Sequence, residues 1–188
     1  MIGIAVLVVL GVVVFAVAGY GAALYNRVIF LKNQGDRAWY NIDVLLKQRH
    51  DEIPKLIGVC EGSARFERET LQRVIVARTA AVGAAGVADR AKAEGELSAA
   101  MGKLFAVAES YPELKSIALF SQLTARVSSL ESEITDRREF YNESVTNYNT
   151  AIETVPTNIV AGWAHAHPRD LFKVAAADTA DVEVKLNL

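Results

Sequence analysis

Hydrophobic residues are concentrated at the start of the chain. Residues Ile2 to Tyr25 carry no charged side chain and are dominated by Val, Leu, Ile, Ala, Gly and Phe. A helix rises about 1.5 Å per residue, so this segment reaches about 36 Å and can cross a bilayer with some tilt. We expect a permanent transmembrane anchor. The alternative is a cleaved signal peptide, which needs a positive segment before a shorter apolar core, whereas this apolar run begins at residue 2.

Beyond the anchor, apolar positions recur at alternating steps of three and four residues, the spacing of a helix in a coiled coil or bundle. Apart from Gly35, nothing interrupts this pattern before Pro54, so the anchor is predicted to continue into the body without a joint. Proline removes a backbone donor, so Pro54 predicts a kink or short break near residues 50–53. The pattern then predicts a second helix that ends near Ala80.

Two further helices are predicted. The charge-free residues 80–88 contain two glycines and predict a linker. A third helix follows and ends at Tyr111–Pro112, because the residue before a proline disfavours the helical conformation. A fourth helix is predicted from about Ser116 to Val155. The predicted fold class is all-α: an N-terminal transmembrane helix continuous with an elongated antiparallel helical bundle, followed by a short C-terminal extended segment.

The last residues of the chain follow a different pattern. Residues 181–188 alternate polar and apolar side chains, which is the period of a β-strand. We hypothesise that Val182, Val184 and Leu186 belong to a strand that pairs with another copy or with the sheet of a partner. A disordered tail is the alternative. The predicted domains are an anchor at 1–26, a bundle at 27–160 and a tail at 161–188.

Charge excludes one class of partner and predicts the topology. The formal net charge is −2, from 20 Lys and Arg against 22 Asp and Glu, which lacks the basic excess that nucleic acids require. No Lys or Arg precedes the anchor, and several follow it from Arg27 onward. The positive-inside rule therefore places the N-terminus outside and the body in the cytoplasm. The single Cys60 excludes an intramolecular disulfide and agrees with a reducing compartment.

Small residues near the end of the anchor are candidate oligomer contacts. Gly19 and Ala23 form a small-xxx-small pair that would let two membrane helices approach closely. The alternative is the ordinary abundance of small residues in membrane helices.

Candidate reaction chemistry is sparse. His165 and His167 with Asp170 are the best metal candidates, but a fourth ligand is missing, so we favour incidental histidines in a polar segment. We interpret residues 50–52, His-Asp-Glu, as a solvated helix face. Cys60 lies on an apolar seam without a histidine placed nearby in sequence to activate it. No phosphate-binding loop or nucleophile elbow is present. We therefore predict no cofactor, no metal and no enzymatic activity.

A set of polar and aromatic residues on two helices is more informative. The members are Trp39, Asp43 and Lys47 on the first helix, and Tyr141, Asn142, Tyr148 and Asn149 on the last long helix. Each subset repeats at four or seven residues and so shares one helix face. We interpret the set as a hydrogen-bonded layer that fixes the register of the bundle, because buried polar tips need partners. A ligand or partner groove is the alternative.

Several separate blocks of this sequence, in the same order and at similar separations, resemble the LemA proteins from the apolar N-terminus to about Ala161. The blocks are Tyr25–Asn26, Ala38–Trp39, Ile42–Lys47, Ile53–Pro54, Ala106–Lys115, Phe120, Arg137–Val145, Tyr148–Asn149 and Pro156–Ala161. The chain departs from the pattern at His50, Glu52 and Lys55, all near the expected kink.

The resemblance implies a single-pass membrane protein with a helical-bundle body, and it brings no catalytic or binding residue set. Some relatives look like participants in membrane organisation, including a magnetosome-associated member, and others accompany membrane-protease or envelope-stress genes. Three features of the sequence, namely the joint-free entry from anchor to bundle, the small residues in the anchor and the alternating tail, lead us to expect a self-assembling scaffold in the cell membrane. Its expected partners are the lipid bilayer and further copies of itself. The alternative is an adaptor for a membrane protein partner, such as a protease that it regulates.

Overall fold

The computed structural model describes residues 2–62 and 66–173, and every regular element in these two ranges is an α-helix. In chain order they are α1 (Ile2–Glu61), α2 (Arg68–Gly83), α3 (Val87–Ala108), α4 (Pro112–Lys115), α5 (Ala118–Glu153) and α6 (Thr157–Trp163). This confirms the predicted all-α class, with a long apolar N-terminal helix and a helical bundle. The predicted strand at 181–188, with Val182, Val184 and Leu186, lies outside the described residues.

The apolar part of α1 has the length and composition of a membrane-spanning helix. Every residue from 2 to 20 is exposed, and the exposed fraction of Phe15 is 82%. A core helix of a soluble protein would bury these side chains, whereas lipid solvates them and leaves the helix to satisfy its own backbone hydrogen bonds. The first buried side chain along α1 is Val28. The helix passes from the apolar stretch into the packed body without a break.

Of the predicted kink or short break near residues 50–53, the break is wrong, because α1 continues through Pro54 to Glu61, and the kink stays a prediction. Proline lacks the N–H that would donate to the carbonyl oxygen of His50, four residues earlier. The Arg78 guanidinium of α2 takes that place, donating from Nε to the His50 oxygen at 2.8 Å. As a result the second helix begins only at Arg68 and does not include the residues directly after Pro54.

The other predicted boundaries agree more closely. The linker at 80–88 narrows to residues 84–86, where Gly86 takes a positive φ of 86° that suits glycine. The third helix ends at Ala108 and the fourth covers Ala118–Glu153, as expected. The short helices α4 and α6 were not expected, because four to seven residues are too few to show a period.

Two groups of residues pack as separate units. Unit 1 comprises residues 1–47 and 130–171, and unit 2 comprises 48–129 and 172–188, as far as these are described. Unit 1 contains an apolar cluster of Val28, Tyr148, Ile152 and Ala161. The core of unit 2 is formed by α1, α2, α3, α4 and α5, and its fully buried members are Ile53, Leu56, Cys60, Val74, Ala81, Leu97, Leu104 and Leu114. The predicted domain boundaries at residues 26 and 160 stay predictions.

Replacing Arg78 tests the compensation at Pro54. Arg78→Met keeps the aliphatic stem but removes the donor to the His50 carbonyl, so the free energy of unfolding should fall by about 1–2 kcal/mol. Thermal unfolding of the full chain in detergent micelles, followed by circular dichroism, measures this loss.

Pro54→Ala provides the control, because it restores an N–H four residues after His50. In the Pro54→Ala background, Arg78→Met should cost clearly less than in the native chain. Costs that simply add in the double variant would show that Arg78 does not compensate for the proline.

Candidate functional site

The predicted polar layer lies in unit 1, between α1 and α5. The Trp39 and Tyr141 rings are in contact, with centroids 5.5 Å apart and planes inclined by 55°. This is a tilted aromatic pair of the kind that stabilises packed helices. Tyr141 and Tyr148 are both buried, one heptad apart on α5. The structure therefore brings one predicted residue of α1 against one predicted residue of α5.

A segment that follows α6, residues 164–171, provides the other partners of this layer. We call it the strap. Asn149 binds the strap twice: its Nδ2 donates to the Arg169 carbonyl, and its Oδ1 accepts from the Arg169 N–H, both at 2.9 Å. The Tyr141 hydroxyl donates to the Asp170 carbonyl at 3.0 Å. The polar residues of α5 thus satisfy strap backbone groups that have no helical partner.

The Arg169 side chain extends from the strap to α1. Its Nη2 lies 2.6 Å from Asp36 Oδ1, and its Nη1 donates to the Lys32 carbonyl at 3.4 Å. The guanidinium carbon also lies 5.6 Å from the centre of the Tyr148 ring, within cation–π range. At Gly35 a β-carbon would lie 3.2 Å from Arg169 Nη1, so a larger residue here would have to shift the guanidinium slightly.

The remaining predicted residues take different positions. Lys47 is exposed, whereas Asp43 and Asn142 are half-buried. Gly19 and Ala23 are exposed on the apolar part of α1. Arg169 and the role of the strap in this layer were missed by sequence reasoning. The Arg169 side chain contacts α1 more than 130 residues away, and the strap meets α5 through backbone groups, which carry no sequence signal.

A second set of polar groups lies in unit 2 and forms what we call the buried ionic cluster: Arg49, His50, Glu94 and Ser98. The Arg49 Nη2 pairs with Glu94 Oε2, and its Nη1 donates to Ser98 Oγ at 3.0 Å. His50 Nε2 lies 3.0 Å from the other Glu94 oxygen. Arg49 and Glu94 are only 1% and 2% exposed, so this is an ion pair inside the core.

The cluster corrects the interpretation of residues 50–52 as a solvated face. His50 is buried, and only its neighbours face water: Asp51 is exposed, and Glu52 pairs with Lys55 at 2.9 Å. The sequence did contain a signal. Arg49 continues the buried spacing of Ile42 and Leu46 on α1, and Glu94 continues that of Ala91 on α3.

Charge partners control the ionisation of Glu94. Burial alone would raise the pKa of this carboxyl, but the close contact with the His50 imidazole and the positive charge of Arg49 outweigh burial, so the pKa lies below its ordinary value of 4.5. Glu94 is therefore a carboxylate at neutral pH. Desolvating both ions costs free energy, so the cluster's contribution depends on keeping every partner in place.

Reactive chemistry finds little support in the described residues. Burial, together with the negative charge of Glu61, raises the pKa of the Cys60 thiol to about 11, which disfavours the nucleophilic thiolate at neutral pH. His165 and His167 are exposed beside a cavity of about 300 Å³ lined also by Lys32 and Arg169. Within residues 2–62 and 66–173, no three His, Cys, Asp or Glu side chains are grouped to hold a metal ion.

Removing one partner of the buried ionic cluster should be more harmful than removing the pair. Glu94→Gln leaves the Arg49 charge buried without its counter-ion and should lower the free energy of unfolding by about 3 kcal/mol or more. The double variant Arg49→Met with Glu94→Leu should cost less than either Arg49→Met or Glu94→Leu alone, because it leaves no unpaired buried charge. Thermal unfolding of all variants in the same detergent tests this, and strict additivity would contradict it.

The same carboxylate should make stability depend on acid pH. Because the folded-state pKa of Glu94 is lowered, its contribution is complete above about pH 4.5 and is lost as the pH falls through the folded-state value. Melting temperatures measured from pH 6 downward should therefore fall more steeply below about pH 4.5 for the native chain than for Glu94→Gln. Equal slopes for the two proteins would contradict the assignment.

The strap should loosen when its anchor on α5 is removed. Asn149→Ala deletes both hydrogen bonds to Arg169, so the Arg169 amide should exchange its hydrogen clearly faster in mass-spectrometric measurements. Asn149→Asp is the matched control, because its carboxylate can still accept from that amide. Unchanged protection in Asn149→Ala would show that other contacts hold the strap.

Comparison with known proteins places the chain in a family. The model of the LemA family matches residues 38–186. The chain is 26% identical over 159 residues to Protein LemA of Metamycoplasma hominis, an alignment that covers 84% of this chain and 70% of that relative.

Proteins with a different name also match. The chain is 35% identical over 69 residues to Magnetosome protein MamQ 2 of Paramagnetospirillum magneticum. It is 32% identical over 69 residues to Magnetosome protein MamQ of Magnetospirillum gryphiswaldense. These alignments cover 37% of this chain and only a quarter of each relative's length. The family match, by contrast, extends over most of the chain, and the chain belongs to the LemA family.

Proposed function

We propose that this protein is a membrane-anchored helical scaffold that assembles with copies of itself and contributes to membrane organisation without catalysing a reaction. The observation that carries the proposal is the continuity of α1, whose apolar exposed part leads into the buried core as one helix. A force acting on the body of such a protein would be transmitted to the anchor through the continuous backbone of α1. This suits a component that holds position in a membrane.

The polar chemistry of the chain supports a structural role. Arg49, His50 and Glu94 pair with one another inside the core, and Asn149 and Tyr141 hold the strap. These groups are engaged in holding elements of the fold together. Cys60, the one cysteine, has its pKa raised by burial. Similarity over 69 residues to proteins named for the magnetosome adds support.

Self-assembly is the part of the proposal that the anchor and the tail would mediate. Gly19 and Ala23 are exposed in α1 and would allow close approach of two membrane helices. Residues 181–188 would add strand pairing between copies. The predicted orientation has the N-terminus outside and the body in the cytoplasm, as the positive-inside rule requires.

Particle mass tests the proposal. The full chain, extracted into detergent or nanodiscs, should form a homomer whose protein mass is a multiple of 20.4 kDa in light scattering coupled to size exclusion. Deleting residues 181–188 should reduce that mass, and Gly19→Leu with Ala23→Leu should weaken whatever assembly remains. Val9→Leu with Val13→Leu, at the same spacing and without small residues, is the matched control.

A monomer in every form would contradict self-assembly. Recovery of the chain in a fixed ratio with one membrane enzyme would instead favour the adaptor hypothesis, in which the protein regulates that enzyme.

A further inference from the structure

Helix α6 carries apolar side chains on two opposite faces. One face is buried: Thr157, Val160 and Ala161 pack into unit 1, where Ala161 joins the cluster with Val28 and Tyr148. The other face is open, with Ile159 57% and Trp163 78% exposed. These two residues are four apart and so lie on one side of the helix. Ile159 and Trp163 therefore form an exposed apolar pair on one side of α6.

The open face of α6 borders the apolar part of α1. Ile159, Val160 and Trp163 line a groove of about 490 Å³ together with residues between Val17 and Tyr25 of α1. At about 1.5 Å per residue, this part of α1 covers the last 12 Å or so of the apolar stretch before Arg27. One wall of the groove is therefore the predicted lipid-facing surface of the anchor, and the other is α6.

The absence of charged residues from the sequence around α6 agrees with an apolar environment for this helix. Residues 154–168 contain no Asp, Glu, Lys or Arg, which makes them the longest charge-free stretch after the anchor. Tyr20 and Tyr25 are exposed at the same end of the anchor as the groove. Tryptophan and tyrosine are enriched where a protein crosses the boundary between acyl chains and headgroups, because their rings combine an apolar body with a polar tip.

We propose that α6 is a second membrane contact, which lies in the bilayer interface with Ile159 and Trp163 among the lipid acyl chains beside the anchor. The groove between α6 and α1 is then filled by lipid. Lipid is the expected occupant because residues of the proposed membrane anchor, between Val17 and Tyr25, form one wall of the groove. This inference rests on the membrane anchorage in the proposed function and adds a lipid-binding element from the far end of the chain.

The contact would have a mechanical consequence. α6 is connected to the strap, which Asn149 and Arg169 fix to α5 and α1. A lipid-embedded α6 would therefore hold unit 1 at two points of the membrane and restrict its tilt about the anchor. A single helix alone leaves that tilt to packing and to its flanking residues.

Tryptophan fluorescence in nanodiscs tests the contact, because the chain has only Trp39 and Trp163. The full chain with Trp39→Phe reports on Trp163 alone. The discs contain phosphatidylcholine brominated near the headgroup end mixed with phosphatidylcholine brominated near the methyl end, so that a tryptophan at any depth in the acyl chains is quenched. Subtracting the emission of Trp163→Phe from that of the native chain gives the same signal without altering Trp39. In the Trp163→Phe chain, Trp39 serves as the negative control, since it lies about 21 Å along α1 beyond Tyr25.

A third reporter separates this inference from the anchor itself. Phe15→Trp, in a chain with both native tryptophans changed to Phe, places a probe within the apolar stretch, where Phe15 is 82% exposed. The account predicts that bromolipid quenches Trp163 at least half as strongly as the Phe15→Trp reporter and leaves Trp39 nearly unquenched. Trp163 emission should also be shifted to shorter wavelength and resist quenching by acrylamide.

Each other outcome overturns the inference in a distinct way. Quenching of the Phe15→Trp reporter without quenching of Trp163 would leave the anchor in place and put α6 in water. Resistance of Trp163 to acrylamide without bromolipid quenching, increasing with the number of chains per disc, would mean that a second copy covers the groove. Absence of quenching at both positions would overturn the anchorage as well.

Discussion

The proposed membrane anchorage rests on one constraint: a backbone surrounded by lipid must satisfy every hydrogen bond within itself. The apolar start of α1 meets this demand by being helical from Ile2 onward, and the helix continues to Glu61 without interruption. Its far end adds a second constraint, because Pro54 removes one backbone donor inside the same helix. Arg78 of α2 donates a hydrogen bond to the His50 carbonyl, so a neighbouring helix supplies the donor that α1 lacks.

The core of unit 2 contains an ion pair close in sequence to that proline. We interpret this pair as a cost in stability that specifies one arrangement of the helices. Arg49 and Glu94 give up hydration, and a well-packed apolar pair of similar volume would often be as stable. In return, one oxygen of the Glu94 carboxylate pairs with Arg49, the other lies 3.0 Å from His50 Nε2, and Arg49 also donates to Ser98. We interpret the cluster as a device that fixes the register of α1 against α3, since many apolar registers would otherwise have similar energies. Unit 1 has an equivalent device in the double hydrogen bond between Asn149 and Arg169.

The spacing of apolar residues and the positions of glycine and proline were sufficient to predict the long helices, the linker near Gly86 and the apolar stretch of α1. Each of these follows from local sequence. The break predicted before Pro54 was wrong, because the donor that replaces the missing proline N–H is Arg78 of another helix, which local sequence does not reveal. Of the residues predicted for a polar layer, Trp39 and Tyr141 meet between α1 and α5, and Tyr141 and Asn149 bind the strap. The strap could not be predicted, because it follows α6 and shows no period. Arg49 and Glu94 stand at sequence positions where the helical spacing predicts a buried residue. A charged residue at such a position was therefore the sequence signal for the buried ionic cluster.

The central claim is that membrane anchor and bundle share one rigid helix. The most direct test is the distance between spin labels at Phe15→Cys and Asn33→Cys, in a Cys60→Ser chain held in nanodiscs and measured by pulsed electron paramagnetic resonance. Both positions are exposed, and eighteen residues of continuous helix place them on the same side of α1, about 27 Å apart. The account predicts a single narrow distribution centred near that distance. A broad distribution, or one centred well away from it, would show a joint between the anchor and the body and would contradict the claim.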